Sequence, residues 1–300
     1  MAYNQLANCS TADVITGVSP NCDVQIGSIE KVIFAKETQE FATQTLAETE
    51  PSWGTAIAAK TLFPLPLIEE FEDNSEDDVY YTSPITSLET FIREGKANFT
   101  FKYKFDPCLH KRLRGFNGQR LRMYMIDASN NILGTSPDNT VFKGFVSGTL
   151  RVQKWTPSTG DSLSFTVVKF VIESGVEYND QIAAISVDWN VKGLNGVQPA
   201  SLAVVGTPTA TTIIVDVAEA CSGVPIEGIT ELTDFTVLEA DLTTREDVTV
   251  IAESATIPGR YTLTGVAFES LGTVNLINGS AVVTLVDQYY QGTAVTITFA

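Results

Sequence analysis

The chain is 300 residues long, 44% hydrophobic and 18% charged, with a formal net charge of −17. That leaves room for one large core or two ordinary ones and excludes wholesale disorder. Residues 201–300 hold 12 acids against Arg245 and Arg260, so this third contributes −10 and the other 200 residues −7. Such a surface repels nucleic acid, whose binding by counterion release needs clustered cations, although the wall of a channel through which DNA slides would want this sign.

The opening MAYNQLANCSTADV lacks the basic region and apolar core of a signal peptide, and no apolar run approaches the roughly 18–20 residues that span a bilayer. Synthesis in the cytoplasm, no membrane insertion and a soluble life before assembly are expected. Cys9, Cys22, Cys108 and Cys221 form no CxxC unit, and with His110 as the single histidine a zinc site is not expected. The four are expected as free thiols, with a Cys9–Cys22 loop as the alternative in an oxidising compartment.

In chain order, CDVQIGSIEKVIFAKE (22–37) reads as a strand with a bulge near Gly27. From Thr38 to about Thr90, Pro51, Pro64, Pro66 and Pro84 punctuate a long excursion, and EEFEDNSEDD (69–78) places seven acids in ten residues. This stretch reads as a mobile acidic loop or as an arm that orders against a neighbouring subunit. Trp53, Leu62, Phe63, Leu65, Leu67 and Ile68 favour the arm, because large apolar side chains need a cover. KANFTFKYKF (96–105) alternates Phe99, Phe101, Tyr103 and Phe105 against Thr100, Lys102 and Lys104, the pattern of a half-buried strand.

DPCLHKRLRGFNG (106–118) predicts one short helix, with Asp106 as N-cap, Pro107 at the first helical position and Gly115 or Gly118 to end it. QRLRMYMIDASNNILG (119–134) predicts strand, turn, strand; residues 140–175 predict a hairpin turning at TPSTGDS; AAISVDWN (183–190) adds a strand. Gly193, Gly196 and Pro199 mark a linker, and beyond it short strands over about 100 residues have the rhythm of an immunoglobulin-like sandwich without its Cys…Trp…Cys core.

Chemistry has few candidates. His110 reads as an ordinary surface or interface histidine, since Cys108 two positions away on a helix does not face it. The acids at 69–78 lack the spaced oxygen ligands and central glycine of a calcium loop, and no glycine-rich phosphate cradle occurs. No catalytic, cofactor-binding or metal-binding residue is nominated, no cofactor is implied, and an enzyme is not expected. Arg93 to Arg122 holds nine Lys or Arg against Glu94 and Asp106. Opposite the acids of 69–78, this stretch is expected to pair within the chain or between copies.

The main part of the chain resembles a tail tube protein of tailed bacteriophages over residues 20–190. The residues that carry the resemblance are the opening strand CDVQIGSIEKVIFAKE, the excursion at 38–90, the strand–helix–strand FTFKYKFDPCLHKRLRGFNGQRLRMYMIDASNNILG and the hairpin VFKGFVSGTLRVQKWTPSTGDSLSFTVVKFVI. The resemblance implies an all-β fold: a sandwich or barrel-like domain over 1–195 with one short helix and a long loop at 38–90, then an immunoglobulin-like decoration over 196–300. It further implies hexameric rings that stack through loop 38–90, contacts with other tail proteins, an acidic lumen that passes genomic DNA without specific binding, and residence in the virion. Strands near 96–105 and 164–172 would surround the channel, with helix 107–114 on the outer side of the sheet. A tail terminator, a baseplate or capsid decoration protein, and a surface adhesin or glycan-binding β-protein are the alternatives.

Overall fold

A computed structural model describes residues 26–299 apart from 86–87, 105–106, 139, 161–162, 279–281 and 286–287. It divides into two compact units, one running to Leu194 and one starting at Asn195, with Ile57–Lys60 grouped with the second. The first unit contains, in order, β1 (Ile29–Lys36), α1 (Gln44–Glu48), α2 (Glu50–Ala58), β2 (Leu62–Leu67), β3 (Glu70–Asp73), β4 (Val79–Thr82), β5 (Glu89–Arg93), β6 (Asn98–Lys104), α3 (Pro107–Leu113), β7 (Leu121–Asp127), β8 (Asn131–Thr135), β9 (Phe145–Val152), β10 (Phe165–Ile172), α4 (Gly175–Asn179) and β11 (Ile182–Ser186). The unit is mixed α/β with strands predominating, and its largest sheet forms a partial barrel.

The sheet is organised around β7. One edge of β7 pairs with β1 along its whole length, and β1 pairs onward with β2. The other edge is shared: Met125 and Ile126 pair with β8, whereas Arg122 and Met123 pair with β9. From β9 the sheet continues through β10 and β6 to β3. The concave face gathers Val32, Phe34, Phe99, Phe101, Tyr103, Met123, Met125, Phe145, Val168 and Phe170 into one core, and Leu113 of α3 packs into it. The clean alternation of β6 follows from this geometry, since one face meets the apolar core and the other carries polar residues, Thr100 covered by Asn74 and Lys104 exposed.

The opposite face of β7 is also covered. Tyr124 lies against Trp53 (ring centroids 5.1 Å apart) and Phe142 (5.5 Å), and Trp53 lies tilted against Phe41 at 4.6 Å. Trp53 comes from α2 and donates from Nε1 to the Ala47 carbonyl of α1 at 2.8 Å. These helices correct two expectations. The first unit is mixed α/β rather than all-β, with more than the one short helix foreseen at 107–114, and the excursion at 38–90 is largely regular structure. Trp53, Leu62 and Leu65 are buried within their own chain, and Phe63 and Ile68 pack partly on its core, so these five need no neighbouring subunit, whereas Leu67 stays exposed. Pro51 sits in the first turn of α2, where its missing N–H costs nothing. Pro64 and Pro66 lie on β2, an edge strand that pairs only with β1.

The free-thiol expectation also fails where it can be followed: Cys108 and Cys221 are disulfide-bonded. Sequence spacing carries no information on which sulfurs meet in space. Cys9 and Cys22, the opening part of the first expected strand, the N-cap Asp106 and Phe105 lie outside the described residues.

The second unit contains β12 (Val197–Val204), β13 (Thr212–Glu219), β14 (Phe235–Leu238), β15 (Arg245–Glu246), β16 (Val248–Glu253), β17 (Arg260–Gly265), β18 (Thr273–Leu276), β19 (Val283–Leu285), β20 (Gln288–Gly292) and β21 (Val295–Thr296). They form a six-stranded sheet, β16-β17-β13-β12-β20-β19, and a four-stranded one, β15-β14-β18-β21. Ile213, Val215, Tyr261 and Leu263 of the first sheet share one core with Phe235, Val237, Val274 and Leu276 of the second. The Tyr261 hydroxyl ties the crossing segment to this core, donating to the Ile226 carbonyl at 2.8 Å and accepting from the Ile229 N–H at 3.3 Å.

Candidate functional site

Among the described residues of the first unit, exposed large apolar side chains gather on the hairpin β4–β5. β3 pairs with β6 from Glu70↔Lys102 to Asp73↔Phe99. Backbone bonds then carry the pairing beyond the sheet: Asn74 N–H to the Asn98 carbonyl at 2.8 Å and Glu76 N–H to the Lys96 carbonyl at 3.0 Å. β4 and β5 continue it from Val79↔Arg93 to Thr82↔Glu89, and Ser83 N–H closes on the Leu88 carbonyl at 2.9 Å. The result is a two-stranded ribbon that prolongs β3 and β6 away from the core. From Asn74 to Thr82, at ~3.3 Å per residue, it reaches about 25 Å.

Its base is fixed by short polar contacts. Asp73 accepts from Ser75 N–H at 2.9 Å, Ser75 Oγ accepts from Asn98 N–H at 3.1 Å, and Asp78 accepts from Gly95 N–H at 2.8 Å. Arg93 pairs with Glu76 at 3.2 Å. Gly95 is required here, since a Cβ at this position would lie 1.8 Å from the Glu76 carbonyl oxygen. Lys102 draws in Glu70 (3.0 Å) and Glu72 (2.7 Å). Hydrogen bonds to these two carboxylates raise the Lys102 pKa, and the same bond lowers that of Glu72. Part of the acid run therefore meets part of the basic stretch inside one chain.

Beyond the base, both faces of the ribbon are apolar and open. Tyr80 and Phe91 are cross-strand partners with rings 5.7 Å apart, edge to face. Tyr81 points to the opposite face, Ile92 sits at a bulge, and Ile85 and Leu88 lie in and beside the turn. These six side chains range from 51% exposed at Phe91 to 92% at Ile85. At ~200 Å² for a large side chain, they expose on the order of 700 Å². A patch of that size on a soluble chain marks a contact site, and a two-stranded hairpin with nothing beneath it is marginal unless covered.

No family model and no curated protein matches this chain. The site is therefore read from its own chemistry.

A second surface belongs beside the hairpin. On β6, β10 and β9 the residues facing away from the core include Lys102 and Lys104, Lys169, and Arg151. Lys169 stands directly opposite Arg151 across the ladder. Both are exposed, and among the described residues neither makes an ion pair. No acid occurs on β6, β9 or β10. The acidic balance of the whole chain is locally inverted.

His110 is interior, correcting the surface reading: it is 8% exposed, and its Nδ1 lies 2.9 Å from Thr166 Oγ1. Burial and then the Arg114 charge push its pKa down. Among the described residues no group of His, Cys, Asp and Glu is arranged to hold a metal ion. Among the described residues, hollows open to solvent lie at the hairpin base near Arg93, Lys96, Ser174 and Tyr178 and near Glu253 and Thr256. Sequence reasoning pointed to the excursion, but of the six apolar residues it named there Leu67 alone is exposed. Tyr80, Tyr81, Phe91 and Ile92 were legible only as β-formers between acids.

Proposed function

We propose that the chain is a self-assembling structural subunit with the role of a phage tail tube protein, in which six copies form a ring and rings stack into a conduit for DNA. The observation that carries self-assembly is the open apolar hairpin held out on a fixed ribbon. Removing half of its exposed apolar area from water is worth ~9 kcal/mol gross at about 25 cal/mol/Å², within the ~4–15 kcal/mol that association costs. The ring-to-ring arm of this reading is narrowed from 38–90 to the ribbon 74–98. The second unit is read as an immunoglobulin-like sandwich decorating the assembly, supported by two sheets closing on one core.

A second reading, another virion component such as a tail terminator, baseplate or capsid decoration protein, is favoured by the cations on β6, β9 and β10. DNA would stick to a channel walled by that face. The tube reading therefore turns these strands toward a neighbouring copy and takes its lumen charge from elsewhere.

The test is negative-stain electron microscopy and solution mass of the full chain over rising concentration, beside a Tyr80→Ser/Ile85→Ser/Phe91→Ser variant. Rings or tubes that vanish in the variant support the reading. A chain that stays monomeric at every concentration, with the variant indistinguishable from it, overturns it.

A further inference from the structure

We infer that the hairpin of one copy docks on the β9–β10–β6 solvent face of another, with Arg151 and Lys169 receiving Glu89, Asp77 and the Tyr80–Phe91 ring pair. The inference rests on the self-assembly reading and names its receiving surface.

Three observations meet in it. The first is the Arg151–Lys169 pair. Like charges directly opposite on a ladder repel, and here no carboxylate on the three strands offsets them. A partner that brings anions relieves this repulsion. The second is the composition of the hairpin. Glu89 pairs across from Thr82 on the same face as Tyr80 and Phe91, and Asp77 is exposed at the base. Aromatic faces beside a carboxylate are the surface that guanidinium and ammonium groups recognise, through the ring quadrupole and through charge. The third is the relief of the receiving face. Val167 and Val171 are half-buried beside Lys169 on β10, so the cations stand over an apolar floor that can cover ring edges.

A nucleic acid would also answer the cations. The copy of the chain is favoured because the whole chain, these cations included, carries −17 and repels a polyanion as a whole. The exposed rings of the hairpin, moreover, need a protein cover.

The experiment uses the full chain and two charge reversals, Arg151→Glu/Lys169→Glu on the sheet and Asp77→Lys/Glu89→Lys on the hairpin. Circular dichroism and thermal unfolding first establish that both are folded. Sedimentation velocity should show each alone self-associating about 100-fold more weakly than wild type, since two charge contacts turn repulsive. An equimolar mixture should recover association, because the reversed hairpin meets the reversed face. Normal assembly by Arg151→Glu/Lys169→Glu, alongside failure of the apolar hairpin variant, overturns the receiving face and leaves the hairpin reading standing. Failure of the mixture to recover overturns the pairing. A 30-base-pair DNA duplex is the competing probe: salt-sensitive binding by wild type that the sheet reversal abolishes, with self-association unchanged, assigns the face to nucleic acid and overturns the inference.

Discussion

Lys31 lies on β1 with 3% of its surface exposed, and its ammonium donates to the Lys192 carbonyl at 2.8 Å and the Leu194 carbonyl at 2.7 Å. The nearest ion pair, Lys192 with Glu30 at 2.8 Å, belongs to Lys192. Burial pushes the Lys31 pKa down from 10.5 to about 8. Between those values the unfolded chain holds the proton and the folded chain does not, so stability rises with pH. Over the full window the gain is ~3 kcal/mol at about 1.4 kcal/mol per pH unit, and from pH 7 to 9.5 it is ~2 kcal/mol. Lys31→Met removes this dependence and strips two carbonyls of their donor, at ~1–3 kcal/mol each. It also removes a buried charge, which offsets part of that loss at pH 7. Urea unfolding followed by tryptophan fluorescence reads the first unit alone, because Trp53, Trp155 and Trp189 are the three tryptophans. Wild type should gain about 2 kcal/mol on the variant between pH 7 and 9.5. Parallel pH profiles for the two proteins would refute the reasoning.

Gly95→Ala should force the ribbon apart at Glu76 and cost about 1–3 kcal/mol locally, seen as lost amide-exchange protection confined to 74–98. Trp53→Ala should lower stability by ~3–5 kcal/mol, read from the urea midpoint, because its ring fills the space between Phe41 and Tyr124. Tyr261→Phe should cost ~1–2 kcal/mol in thermal unfolding of the full chain, as it leaves the Ile226 carbonyl and Ile229 N–H without their partner. Arg151→Glu alone should stabilise the dilute protein by roughly 0.2–1 kcal/mol, measured by urea unfolding, by turning a cross-strand repulsion into an attraction.

Strands with one wet face were legible in the sequence. Phe99, Phe101 and Tyr103 alternate with polar residues because β6 meets the apolar core on one side and polar neighbours or solvent on the other, and the β9–β10 hairpin was read from the same kind of alternation. β7 is buried on both faces, so its apolar run says less about which neighbour lies on which side. The helices before Thr61 were missed because proline was read as a loop mark. Pro51 instead opens a helix whose Trp53, Ala56 and Ile57 follow the i, i+3, i+4 spacing of a buried stripe. Charge was legible as composition but not as placement. Lys169 and Arg151 are 18 positions apart in the chain, and only the ladder register sets them side by side. The hairpin lay between these cases: its β-forming residues were visible, but their exposure depends on how far the ribbon runs past the sheet.

The ribbon also separates two jobs that one sequence usually has to share. Its seam, residues 74–78 against 93–98, is held by backbone bonds, short polar side chains and a glycine, while Tyr80, Tyr81, Ile85, Leu88, Phe91 and Ile92 contribute nothing to the central core. Changes at the tip are therefore nearly free of folding consequences, and changes at the seam are not. A lineage of such chains can rewrite what its subunits adhere to without renegotiating how they fold. Diversity should gather at the tip, and constraint at Gly95.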